Sequence, residues 1–383
     1  MPHLIRGNER FGRRLLQQVH FSAPDRNVVL SPISLSIIFT ALQVNSTQPE
    51  LGQEITSVFG WPEYRGMNVS ARMLLAAFKE PDQTPSLRKR DPGGLPEALG
   101  LISIPEATWI TNTVLYRGQG TLAEWFVKGA TKDFGMTFSS TGAGNPTADD
   151  LRRARPSAGP LPPLSSDSDF VVSSGTHLRT RWAGNTFSLS KPYRADFQLA
   201  SGQAKQAEML TSELAVYDYA KTDWFEAVAL PCDSGYLLAV LPALGTSVID
   251  LERELVHSPE SLDAALKPQV GRVDLPPFQV RYEAKLRQSL EQMGIRQVFT
   301  DLGGMVTIPR SHVTEITQHA AIEVDQSGIR ADAETIGGGV YGGILRAQER
   351  FRMRLNRPFI FLVRDNATNA LLFIGAILDP TQN

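Results

Sequence analysis

Nucleophilic chemistry in this chain would rest on one atom. Cys232 is the single cysteine, with Asp233 beside it. A thiol nucleophile needs an imidazole within reach to take its proton. The six histidines are His3, His20, His177, His257, His312 and His319, and none stands in a recognisable motif with Cys232. Cys232 therefore reads as a structural thiol, with a hydrolase built on it as the enzymatic alternative. There is no G-x-S-x-G elbow for a serine nucleophile. No H-E-x-x-H, C-x-x-C, calcium-loop or Walker A spacing occurs, so no metal or cofactor is expected.

Gly337, Gly339 and Gly342 do fit G-x-G-x-x-G. That fingerprint needs an apolar strand running into its first glycine, to aim a helix dipole at a pyrophosphate. Here the preceding residues are Arg330-Ala331-Asp332-Ala333-Glu334-Thr335, small and charged. The glycines belong instead to a long exposed loop beginning at Gly328, and loops longer than about 15 residues are usually functional or disordered. Its first half alternates: Ile329, Ala331, Ala333 and Thr335 against Arg330, Asp332, Glu334 and Ile336. Period two is the pattern of a half-buried strand. The segment reads as a loop able to become a strand, or as a linker whose alternation is accidental.

The frame around this loop is an ordinary globular one. The chain has 383 residues, 42% hydrophobic and 20% charged, enough to bury a core without disulfides or metals. No apolar run approaches the roughly 18 residues of a membrane helix. With 38 basic and 40 acidic residues the net charge is -2, so neither nucleic acid nor membrane is expected as a partner. The start, Met1-Pro2-His3-Leu4-Ile5-Arg6, lacks the apolar core of a signal peptide.

Phe11, Leu15, Leu16 and Val19 share one face of a first helix, with Arg13, Arg14 and Gln17 opposite. A strand Val28-Val29-Leu30 comes next. Ser31-Pro32 then starts a second helix, Ser31 as cap, whose apolar coat (Leu35, Ile38, Phe39, Leu42) places it deep in the core. Trp109 to Tyr116 reads as a strand. Thr121 and Glu124 form a capping box for a helix burying Leu122, Trp125 and Phe126. Residues 81–105, with the basic triplet Arg88-Lys89-Arg90, and 140–168 are rich in proline and glycine or serine and read as surface segments, the second with at most a short helix near 148–155. Cys232-Asp233-Ser234-Gly235 and 365–369 are hairpin turns. A helix from Glu283 to Met293 ends at Gly294. Helices come first and strands later, so the fold class is α+β.

Six of these pieces occur in a known order. They are Asn27-Val28-Val29-Leu30-Ser31-Pro32-Ile33-Ser34, Trp109 to Gly118 with Asn112, Trp182, Met293-Gly294-Ile295-Arg296-Gln297-Val298-Phe299, the loop from Gly328, and a C-terminal block of Asn356-Arg357-Pro358-Phe359-Ile360-Phe361 with Arg364, Thr368, Leu372-Phe373, Gly375 and Pro380. Together they resemble the serpin family over nearly the whole chain. The resemblance implies a single domain over 1–383, with three β-sheets and about eight or nine helices. It implies a monomeric inhibitor of a serine protease, not an enzyme, with a reactive loop at about 328–347, and an extracellular location, with the cytoplasm as the alternative that the start of the chain leaves open. In this family the protease cuts the loop, the freed loop enters the central sheet as a new strand, and the protease is trapped as an acyl-enzyme. The alternative is a non-inhibitory serpin, a binding or chaperone-like protein whose loop is cut without trapping.

Counting fifteen residues from Gly328 puts the scissile bond at Gly342–Gly343, which suits elastase-, subtilisin- or chymotrypsin-like enzymes; Arg346–Ala347 is the fallback and suits a trypsin-like one. Gly328, Ile329, Ala331, Ala333 and Thr335 are the hinge residues. Ile329 stands where Thr or Ser is usual, and its larger side chain is expected to slow insertion. Asp332 and Glu334 stand where small residues are usual; a reduced helix at 140–168 would leave their charges in solvent. Ser31 and Ser34 are kept beneath the sheet. The family's shutter asparagine maps to Ser174 and its histidine to Gln318, so a Ser–Gln hydrogen bond is expected to replace the Asn–His one. Trp182 maps to the top of the central sheet, and Arg88-Lys89-Arg90 falls near where some relatives bind polyanions.

Overall fold

The computed structural model describes residues 1–61, 66–78, 107–117, 122–141, 170–184, 186–187, 191–307, 311–330 and 349–382. The basic triplet, the short helix near 148–155, Thr121 and the loop positions Ala331, Ala333, Thr335, Gly342, Gly343, Arg346 and Ala347 lie outside them. In chain order the elements are α1 (Pro2–Ser22), β1 (Val28–Leu30), α2 (Pro32–Asn45), α3 (Pro49–Phe59), α4 (Met67–Ala77), β2 (Ala107–Arg117), α5 (Glu124–Phe134), β3 (Met136–Thr141) and β4 (Phe170–Arg181). Then come β5 (Tyr193–Gln198), β6 (Ala204–Thr211), β7 (Ala215–Lys221), β8 (Phe225–Pro231), β9 (Gly235–Pro242), α6 (Val248–His257), α7 (Ser261–Ala265), β10 (Lys267–Leu275) and β11 (Phe278–Lys285). The last are α8 (Arg287–Met293), β12 (Val313–Val324), β13 (Gly328–Arg330), β14 (Phe351–Arg354), β15 (Phe359–Asp365) and β16 (Leu371–Ile377).

The apolar coat of α2 has the expected outcome: every residue from Pro32 to Leu42 is buried. A helix apolar all round can only sit in a core. Phe11 of α1 stacks on Phe59 of α3 at 4.2 Å, and Phe39 of α2 meets both rings. β15 and β16 are buried along their whole length.

Two sheets flank this core. The larger runs β1-β16-β15-β9-β8-β7-β10-β6-β5, with β14 on β10; the smaller runs β11-β12-β13-β4-β2-β3. The expected third sheet is the β5, β6, β10 and β14 end of the larger one. The two are fused because β10 pairs with β7 through Lys267–Gly271 and with β6 through Asp274–Leu275.

Three local expectations need correction. Trp125 is exposed, because the buried face of α5 runs Phe126, Ala130, Phe134 at i, i+4, i+8, one position off the tryptophan. Glu283 is still in β11, opposite His319, so α8 begins only at Arg287; strand pairing overrides the helical pattern there. Arg13 is buried, donating from Nη1 to the Leu255 carbonyl at 3.1 Å. Its side chain also pairs with Glu9, which in turn meets the buried Arg364 of β15.

Candidate functional site

The smaller sheet is parted along its middle. At one end β4 and β12 pair directly as parallel neighbours, from Val313↔Phe170 to Gln318↔Ser174. At the other end β13 lies between them and pairs antiparallel with both: Ile329 faces Val324 and Thr180, and Arg330 faces Glu323 and Arg179. Between these ends, residues 319–322 of β12 and 175–178 of β4 have no ladder partner towards each other among the described residues. A sheet with such an interior gap presents two facing rows of backbone donors and acceptors, a ready site for one more strand.

The closed end sits on the start of α2. Gln318 accepts from the Ser31 amide at 2.8 Å through Oε1, and its Nε2 donates to the Ser31 carbonyl at 2.7 Å. The same Nε2 lies 3.2 Å from Ser34 Oγ, and Ser174 Oγ donates to that Ser34 oxygen at 2.5 Å. The Ser34 hydroxyl itself donates a hydrogen bond to the Ser31 carbonyl at 3.1 Å. So Ser31, Ser34, Ser174 and Gln318 do converge, and all four are fully buried. The expected direct Ser174–Gln318 bond is absent from this arrangement. Both side chains point down from neighbouring strands and meet at Ser34, because in-register residues on one face both aim at the helix below. Ser31 is the N-cap residue of α2, yet its hydroxyl makes no cap bond. It donates instead to the Leu372 carbonyl at 2.8 Å and sits 2.6 Å from Thr176 Oγ1. Asn112 of β2 donates to the Ser34 carbonyl at 3.0 Å. Sequence carries no signal for Thr176, since only the fold brings it to Ser31.

The open end is a tight turn from β12 into β13. Asp325 Oδ1 accepts from the Ser327 amide, the Ser327 hydroxyl and the Gly328 amide at 2.6, 2.5 and 3.1 Å. Arg330 Nη2 closes on Asp325 Oδ2 at 2.5 Å. An aspartate with serine and glycine just after it is a turn signal that the sequence does carry. Trp182 holds the turn from the side: its Nε1 donates to the Asp325 carbonyl at 2.7 Å, and its ring meets Phe187 edge-on at 5.1 Å. Gly328 has φ +156°, and a Cβ there would stand 2.2 Å from the Thr180 carbonyl oxygen. Gly328→Ala should therefore push the turn out of the sheet, at about 2 kcal/mol. Hydrogen-exchange mass spectrometry should show faster exchange at 328–330; unchanged protection there would refute the fit.

Ile329 overturns its expectation. It is 0% exposed and already seated between β12 and β4. The expected barrier assumed a side chain still outside the sheet, whereas here it is already in place between the two strands. Cys232 is buried at 3% exposure, its backbone bridged to Trp182. A nucleophile has to be reachable, so this thiol is structural. Among the described residues no group of His, Cys, Asp or Glu could hold a metal ion, and no helix is long and apolar enough to cross a membrane.

A family model described as Serpin (serine protease inhibitor) matches residues 158–380. The chain belongs to the serpin family. Serpin A3-3 of Bos taurus is 25% identical over 402 residues, covering 99% of this chain and 90% of the relative. Two solved serpins share the fold. Human thyroxine-binding globulin, solved in complex with thyroxine, has a TM-score of 0.77 at 16% identity, with 99% of each chain covered. Mouse protein-Z dependent protease inhibitor has a TM-score of 0.76 at 18% identity, covering 99% of this chain and 97% of its own.

Proposed function

We propose that this serpin is a monomeric, extracellular inhibitor that acts as a suicide substrate of a serine protease. The observation that supports it is the parted sheet with β13 already in its mouth. The protease serine attacks the Gly342 carbonyl carbon, Gly343 leaves as a free amine, and Gly342 stays esterified to the enzyme. Residues from Ala331 onward then trail β13 into the gap and carry the protease with them.

The register of β13 supports the rest of the hinge. Continued without slip, it sets Ala331 by Leu178 and Ile322, Ala333 by Thr176 and Ala320, and Thr335 between Ser174 and Gln318. These stations lie on the core side, where small residues fit. On the other face Asp332 comes opposite His177 and Glu334 opposite His319. The two acids that a small-residue pattern leaves unexplained thus each gain an imidazole neighbour, a cross-strand pairing of the favourable kind.

The second reading, a non-inhibitory serpin, is supported by the fold shared with thyroxine-binding globulin, a serpin solved with thyroxine bound. Incubation with elastase-, subtilisin-, chymotrypsin- and trypsin-like enzymes separates the two. The inhibitor gives a covalent complex that survives SDS, with a new N-terminus at Gly343, or at Ala347 for a trypsin-like target. Clean cleavage with no complex for any enzyme would establish the second reading, and trapping with a cut outside 341–347 would refute both bonds.

A further inference from the structure

A cleft of about 310 Å³ opens beside the strand that leaves the reactive loop, lined by Tyr193, Asp196, Met209, Arg352, Arg354 and Asn356. Arg352 and Arg354 alternate on the exposed side of β14. Two guanidinium groups repel unless something stands between them, and here that group is Asp274 of β10. Its carboxylate is fully buried and accepts from Arg352 Nε and Nη2 at 3.0 and 3.1 Å, from Arg354 Nε at 3.2 Å and from Thr211 Oγ1 at 2.8 Å. Burial raises the Asp274 pKa, but the donors from Arg352 and Thr211 outweigh it and hold the carboxyl below its usual value. Arg352 spends its fork on this carboxylate. Arg354 gives it only Nε, and its terminal nitrogens have no hydrogen-bond partner among the described residues. The side chain is 61% exposed. The other charge on the rim, Asp196, is engaged by Gln206. Around the cleft Arg194 faces Glu208 across β5 and β6, and Arg272 pairs with Glu349. The charge left on offer is the Arg354 guanidinium, held at the mouth by Asp274 behind it.

We propose that this cleft is a docking site for an acidic side chain of the protease engaged on the reactive loop, with Arg354 as its specificity-determining residue. The inference rests on the inhibitory or substrate reading above, since either brings a protease to the loop. Arg352 and Arg354 lie nine and eleven residues beyond Gly343, so they are within about 40 Å of the cut even if the chain between is fully extended. A globular protease is itself about 40 Å across. Protease–inhibitor interfaces cover about 800 Å² per partner, roughly 20–30 residues a side. β14 is fixed in place by its parallel ladder to β10, where Phe351 packs on Gly271 with no room for a Cβ. The guanidinium is therefore presented on a rigid strand, and the fork geometry suits a carboxylate in two-pronged contact.

The test compares loop-cleavage rates of wild type, Arg354→Gln and Arg354→Glu for each enzyme that cuts the loop, at 20 mM and 500 mM NaCl. Cleavage rate reads docking whether or not the enzyme is trapped. Arg354→Glu should slow cleavage about tenfold at low salt with at least one enzyme, Arg354→Gln less, and high salt should shrink the difference. A synthetic peptide of residues 331–350 supplies each enzyme's intrinsic preference. Equal rates for all three proteins with every enzyme, at unchanged melting temperature, would overturn the inference alone. No cleavage of wild type by any enzyme would overturn it together with the proposed function. Calorimetric binding of glutarate to wild type below 1 mM, lost in Arg354→Gln, would make the cleft a site for a free carboxylate and overturn the protease as its partner.

Discussion

Cleavage of the loop between Gly337 and Arg346 should raise the melting temperature by at least about 10 °C; at roughly 2 cal/mol/K per residue for a chain of this size, that corresponds to about 8 kcal/mol. The reason is that, among the described residues, 175–178 and 319–322 have no ladder pairing towards each other. The chain from Arg330 of β13 to Phe351 of β14 is continuous before the cut, and the proposed mechanism needs a free end for the strand to follow β13. A cut frees one end, and the strand that enters satisfies both rows while Ala331, Ala333 and Thr335 go onto the core. Calorimetry before and after nicking decides it, and an unchanged or lower midpoint would refute strand addition.

Ser34→Ala should destabilise the uncut protein by about 3 kcal/mol, roughly 4 °C, because two buried donors lose their acceptor at once. Those donors are the Ser174 hydroxyl and a Gln318 N–H. The deficit should be about half as large after nicking, since the inserted strand brings the Thr335 hydroxyl to the same station between Ser174 and Gln318. Equal losses in the two forms would show that Thr335 never reaches that register. Changing only one donor, as in Ser174→Ala, should cost less than the hub.

What the sequence makes legible is local. The apolar coat of α2, the glycine turn at 235 and the C-terminal hairpin each announce themselves through period and turn chemistry, and each is present. The serines and glutamine of the closed end are also identifiable, through resemblance. How they connect stays hidden: Ser34 and Gln318 are 284 residues apart, and Ser34 and Ser174 are 140 apart. No periodicity carries information over such separations. Ile329 misleads because alternation shows which face a side chain takes but not whether the strand has already formed. Trp125 and Glu283 mislead for the opposite reason, a plausible helical pattern with tertiary packing choosing a different face or a different element.

The seated turn at Asp325–Arg330 has a kinetic consequence. Starting a strand from a free chain requires closing a loop and fixing several dihedrals before any ladder bond rewards it. With Ile329 and Arg330 already paired on both sides, that nucleus exists before the protease arrives. Under the proposed mechanism insertion would then be propagation, one residue after another. The slow step is then expected at the far end, where the parallel ladder from Phe170–Val313 to Ser174–Gln318 would have to open for the strand to pass. Substitutions that weaken that ladder should speed trapping, whereas those at the hinge should alter how much protein starts in the primed state.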